Sequence, residues 1–110
     1  MTDEIQAEYT RIVNKHPGRV PIIFDHDDTP LLKKNKFLVP RDLSISQLMA
    51  VIRRQLIDGV KPEEALFIMS TTGSMPCATS TIAELEHAQF PIGTPKTFLH
   101  LVLSKENTFG

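Results

Sequence analysis

The densest cluster of ligand-type side chains in this chain is Asp25-His26-Asp27-Asp28. Read as a calcium loop beginning at Asp25, it places Pro30 where a glycine must make the sharp turn. It also places Lys36 where a carboxylate must close the shell. The run therefore reads as a solvated turn, and no metal is expected. Cys77 is the single thiol, preceded by Pro76 in a Ser/Thr-rich stretch, with His87 and His100 as candidate bases. No local nucleophile signature surrounds it, and a small structural thiol is the plainer reading. The five glycines include no phosphate-cradling loop, so no nucleotide cofactor is expected. The remaining reactive group is the last one. Gly110 has no Cβ, so its carboxylate can thread a narrow catalytic channel. That chemistry is acyl activation: carboxylate to acyl adenylate, then thioester, then amide. A chain used this way is the substrate and carries no catalytic group, so it is not an enzyme. The bland reading of the same residue is a frayed terminus.

The rest of the chain must fold a carrier for that carboxylate. Its 110 residues suit one small domain with one core. Twelve Lys and Arg against thirteen Asp and Glu leave a formal charge of -1, which argues against a general nucleic-acid binder. One cysteine excludes an internal disulfide and suits a reducing compartment. Apolar stretches such as Ala65–Met69 are too short to span a bilayer, and the acidic start Met1-Thr2-Asp3-Glu4 is followed by no signal-type apolar region. Any meeting with a membrane needs an attachment other than a helix.

Periodicity and punctuation give the elements. Ile5, Tyr9, Ile12 and Val13 share one helical face, opened by Asp3 with Gln6 and stopped by His16-Pro17-Gly18. Arg19–Phe24 is a strand in which Pro21 predicts an edge or a bulge. After the polar turn Asp25–Pro30, Lys36–Pro40 completes a long-looped hairpin. Ser44 with Gln47 forms a capping box, and Leu43 with Leu48 a hydrophobic staple. Ile45, Leu48, Met49, Ile52 and Leu56 then predict a helix from Ser44 to Ile57, with Gly59 as its stop. Leu66–Met69 is a buried strand, Thr81 with Glu84 caps a second short helix, and Phe98–Leu103 is apolar on both faces, as a central strand is. The order helix, β, β, α, β, α, β predicts an α+β domain with a β-grasp, ubiquitin-like layout. Residues 1–15 form its N-terminal helix, 16–103 the ubiquitin-like body and 104–110 a flexible tail that presents Gly110.

Five ordered blocks carry a resemblance over about residues 8–110: Arg19-Val20-Pro21-Ile22-Ile23, Phe37-Leu38-Val39-Pro40-Arg41-Asp42-Leu43, Val51-Ile52-Arg53-Arg54, Pro62–Ile68 and Glu106-Asn107-Thr108-Phe109-Gly110. Together they resemble the autophagy ubiquitin-like modifiers of GABARAP type. The resemblance implies a ubiquitin-like fold with an N-terminal helical addition, of one helix here where the family has two. It implies conjugation of Gly110 to phosphatidylethanolamine on autophagic membranes by dedicated activating and conjugating enzymes. It also implies a cysteine protease that trims or deconjugates the glycine end, and residence in the cytoplasm and, once lipidated, on the autophagosome. Three features depart from the family pattern: a shorter loop over Asp25–Lys33, Leu48 where an aromatic is usual, and Gln55 at a usually basic position.

The resemblance further implies capture of receptors that carry an aromatic, two spacers and an aliphatic, added as a strand beside Lys36–Val39. Block-by-block matching lines the aromatic pocket with Ile12, Pro21, Lys36, Leu38 and Phe98. It lines the aliphatic pocket with Phe37, Val39, Pro40, Leu43, Leu48 and Val51, while Lys34, Lys36 and Arg53 attract acidic flanks. By periodicity alone, Leu43, Leu48 and Val51 read as helix core, and the Lys33/Lys34/Lys36 run as a charged edge that blocks aggregation. Beside the lipid-linked modifier stand two further readings: an unconjugated peptide-binding adaptor of the same fold, and a hydrolase built on Cys77.

Overall fold

The computed structural model describes residues 2–25 and 31–107, with the side chains of Thr2, Asp3 and Asn107 left aside. His26–Pro30 of the polar turn, and Thr108, Phe109 and Gly110, lie outside the described residues. The elements follow the expected order: α1 (Thr2–Lys15), β1 (Arg19–Asp25), β2 (Lys36–Pro40), α2 (Ile45–Arg53), β3 (Glu64–Ser70), α3 (Ile82–Gln89) and β4 (Leu99–Asn107). One four-stranded sheet has the order β2-β1-β4-β3. β1 pairs antiparallel with β2 and parallel with β4, and β3 pairs antiparallel with β4.

β1 is therefore an interior strand without a bulge in its register, contrary to what Pro21 suggested. The ladder explains how proline fits there. Phe24 N–H donates to the Asn35 carbonyl, and Arg41 N–H to the Gly18 carbonyl, so even-numbered residues of β1 bond β2. Arg19↔Pro40 and Pro21↔Leu38 fall between those bonded pairs. Pro21 turns its nitrogen toward the β4 side, where pairing begins one residue later, at Ile22↔Leu99. Neither proline removes a ladder bond between β1 and β2.

Alternation divides the sheet into two faces. Val20, Ile22 and Phe24 of β1 join Phe37 and Val39 of β2, and Leu99, Leu101 and Leu103 of β4, in the core under α2 and α3. Pro21, Lys36 and Leu38 point to the opposite face, where α1 lies. α2 is opened by the capping box: Gln47 N–H donates to Ser44 Oγ at 3.2 Å, and Ser44 N–H to Gln47 Oε1 at 2.9 Å. Thr81 caps α3 through Glu84 N–H at 3.2 Å. The two caps pair as an isolated bridge, Ser44↔Thr81.

Two boundaries differ from the sequence reading. α2 ends at Arg53, not Ile57, because the following backbone is taken by another segment. Lys33 N–H donates to the Gln55 carbonyl and Ile57 N–H to the Leu31 carbonyl, and Leu32 bridges Leu56. Leu56 still reaches the core, which is why its spacing suited a helix. Gly59, at φ +68, serves the loop beyond and does not stop the helix. At the other end β4 runs on through Ser104–Asn107, where the tail was expected, because Glu64–Phe67 of β3 continue the pairing. Lys105 fastens this extension, 3.3 Å from the Gly59 carbonyl and 3.8 Å from Glu64.

Candidate functional site

β2 is an edge of the sheet. Since its bonded pairs with β1 fall at Phe37 and Val39, the backbone N–H and C=O of Lys36 and Leu38 face away from β1, toward the open edge. Unpaired groups of this kind are a template for an added strand. Arg19 Nη1 reaches the outward Leu38 carbonyl at 3.5 Å and partly covers it.

Beside that edge, on the α1 face, lies a cavity of about 260 Å³. Its lining comes from four separate stretches of chain: Ile12 and His16; Pro21; Lys34 with Lys36, Phe37 and Leu38; and Phe98. All five residues assigned to the aromatic pocket are in it, together with Lys34 and the edge of Phe37. Lys36 Nζ lies 5.7 Å from the Phe98 ring centre and 3.4 Å from Glu8 Oε1, so the ammonium is held over an aromatic wall. Lys34 Nζ lies 5.1 Å from the Phe37 ring. With Arg19, these lysines make the rim basic.

The second set of residues is not brought together in the same way. Phe37 packs edge-on against Phe24 at 5.6 Å, and Val39 joins it inside the core. Leu48 is 0% exposed, so here the helix-core reading holds. Leu43 packs against the core, Pro40 is half-buried, and Val51 stands 37% exposed on α2 with Arg53 exposed two residues on. Gly110 lies outside the described residues.

Two residues at the site escaped the sequence reading. By its neighbours in sequence His16 is part of a helix stop; in the fold it lines the cavity. Tyr9 was read as one member of an apolar stripe. It is 7% exposed and meets Phe98 edge-on at 5.9 Å and 73°, supporting the cavity wall from behind. Burial raises the pKa of its phenol above the ordinary 10.0; the Glu86 carboxylate raises it further and Arg41 offsets part of the rise.

The candidate chemistry elsewhere is thin. Asp25 Oδ2 is 3.1 Å from His100 Nδ1 at the sheet end, and Gln89 holds the His100 backbone through both amide groups. Cys77 is exposed, and among the described residues no imidazole hydrogen-bonds its thiol. Among the described residues no group of three or more His, Cys, Asp or Glu could hold a metal ion, and no helix is long and apolar enough to cross a membrane.

A mixed sheet crossed by α2, with an extra N-terminal helix on its other face, is a ubiquitin-like α+β fold, and the site on it is an open sheet edge beside a cavity. The relatives place it more closely. Residues 4–110 match the family described as "Autophagy protein Atg8 ubiquitin like". Autophagy-related protein 8A of Oryza sativa subsp. japonica is 36% identical over 108 residues, covering 96% of this chain and 86% of that protein. Autophagy-related protein 8 of Schizosaccharomyces pombe is 38% identical over 110 residues, covering 96% of this chain and 84% of that protein. The crystal structure of Trypanosoma brucei ATG8 superposes with a TM-score of 0.76 at 26% identity, over 100% of this chain and 92% of that one. The chain belongs to the Atg8 family of autophagy ubiquitin-like proteins.

Proposed function

We propose that this protein is a lipid-linked autophagy modifier. Gly110 is activated as an acyl adenylate, passed to enzyme thiols as a thioester, and joined through an amide to the amine of phosphatidylethanolamine. Dedicated activating and conjugating enzymes do this chemistry, and a cysteine protease trims or releases the glycine end. The protein works in the cytoplasm before attachment and on the autophagosome membrane after it, where two acyl chains hold it firmly. There it gathers receptors bearing aromatic-x-x-aliphatic motifs, and weak single contacts gain avidity on a shared surface.

The observation that carries the binding half is the cavity beside the outward N–H and C=O groups of Lys36 and Leu38. An extended peptide gains register from the backbone and selectivity from the cavity. Ile12, Pro21, Lys36, Leu38 and Phe98 receive the aromatic side chain. The aliphatic one settles over the α2 side near Pro40, Leu43 and Val51, above Phe37 and Val39, while Leu48 stays sealed in the core. Lys34, Lys36 and Arg53 draw acidic flanks.

The chain has no tryptophan, so a peptide containing Trp-x-x-Leu reports its own binding by fluorescence. Leu38→Ala should weaken that peptide by roughly 30-fold, the scale of a hot-spot truncation, and unchanged affinity would sink the groove. Leu38 alone is a cleaner probe than a change at Phe37, whose ring belongs to the core. The conjugation half is tested with activating and conjugating enzymes, ATP and phosphatidylethanolamine vesicles. A lipid adduct that vanishes on deletion of Gly110 supports the modifier. Absence of any adduct, with peptide binding intact, leaves the unconjugated adaptor.

A further inference from the structure

One buried charge has no part in the docking edge. Glu86 on α3 is 1% exposed, the only charged residue among the buried residues described. Arg41, just beyond β2, donates to its Oε1, and Lys96 Nζ lies 3.7 Å from the same oxygen. Both cations are half-exposed, so the carboxylate is covered from outside by two charges from different segments. A carboxylate so buried persists only when it is paired, and this one is paired twice.

The cluster reaches α1 as well. Tyr9 is the only side chain of α1 classed as buried among those described, and its phenol lies in the field of both Glu86 and Arg41. Gln6 Nε2 donates to the Lys96 carbonyl at 3.1 Å. α1 is thus seated by one aromatic ring and a few polar contacts. A turn farther along, the same helix supplies Ile12 to the cavity, and His16 follows just past its end. Phe98, the ring against Tyr9, is another wall of that cavity.

We propose that Glu86, clamped by Arg41 and Lys96, anchors the Lys96 segment on which Gln6 seats α1, and that this seating, with Tyr9 on Phe98, sets the shape of the aromatic cavity. Glu86 and Tyr9 are positioning residues: they act on a bound motif through Phe98, Ile12 and His16. This rests on the reading that the cavity takes an aromatic side chain.

The test compares Glu86→Gln with Glu84→Gln, an exposed carboxylate on the same helix. Tyr9 is the only tyrosine in the chain, so tyrosinate absorbance titrates it alone. In Glu86→Gln, amide exchange across α1 should speed up and the Tyr9 titration should move down in pH. Affinity for a Trp-x-x-Leu peptide should fall about tenfold, the size of coupling carried through packed neighbours. The matching Ala-x-x-Leu peptide should change little, because it does not fill the cavity. Glu84→Gln should change none of these. Should Glu86→Gln fail to fold, Tyr9→Leu tests the same link from the far face of the sheet, with the same loss for the tryptophan peptide only. Faster α1 exchange with unchanged peptide affinity would overturn the link to the cavity, and unchanged α1 exchange would overturn the anchor. If the wild-type protein ignores the peptide, the motif reading fails, while exchange and the Tyr9 titration still judge the anchor.

Discussion

The two faces of the sheet are built on opposite terms. Under α2 and α3, Ile45, Leu48, Ile52 and Ile82 close a continuous apolar core with β1, β2 and β4. Under α1, contact is made by Tyr9 on Phe98, by Lys36 with Glu8, and by Gln6 with the Lys96 carbonyl. Apolar burial of the first kind is cooperative and worth most of the folding free energy. Contacts of the second kind are few and partly wet, and they leave a cavity beside an open edge. The difference teaches a division of labour: one face supplies stability, and the other leaves a cavity and an open edge unburied.

The sharpest break in that comparison is Leu48→Ala. It should cost about 3 kcal/mol in a denaturant titration, as large-to-small changes in a closed core do. Peptide affinity of the protein that remains folded should be unchanged, since Leu48 is sealed in. Loss of affinity without loss of stability would place Leu48 in the docking groove after all. Ser44→Ala is a smaller test on the same face. It removes the half of the capping box in which Gln47 N–H donates to the hydroxyl, keeps the Ser44 N–H bond to Gln47, and should cost about 1 kcal/mol, read as a lower unfolding midpoint.

The α1 face should answer to pH and salt instead. Burial first, and Glu86 second, hold Tyr9 neutral by raising its pKa, with Arg41 pulling the other way. The unfolded phenol titrates near 10, so the stabilisation from docking Tyr9 is whole below that pH. It is lost as pH climbs through the higher folded value. Tyr9→Phe should therefore flatten the alkaline fall in stability, and an identical fall in both proteins would remove Tyr9 as its source. The smallest effect is expected at the rim. Lys34→Met should lower the association rate of an acidic-flanked peptide about threefold at low ionic strength and scarcely at all at high salt, because exposed charges steer more than they hold.

Much of this was legible in the chain. The order of elements, both helix caps and the interior place of β4 followed from period, capping residues and the two-faced apolar run at Phe98–Leu103. So did the assembly of Ile12, Pro21, Lys36, Leu38 and Phe98, although only through the resemblance; no local pattern joins residues so far apart. What escaped was settled by long-range pairing. Pro21 carries no sign that its strand neighbour starts one residue later. Gln55 and Ile57 carry none that Leu31–Lys33 will take their backbone groups before a helix can. Glu86 sits among ordinary helix-surface residues by type, and nothing near it in sequence announces Arg41, 45 residues away.

The placement of Pro21 and Pro40 has a last consequence for how the hairpin assembles. Both nitrogens occupy the rungs that need no donor in the β1–β2 ladder. Sliding one strand by a single residue would present a proline where a donor is required and would turn Phe37 and Val39 outward in the same movement. The two imino acids therefore penalise such a misaligned hairpin by a lost rung as well as by exposed apolar side chains.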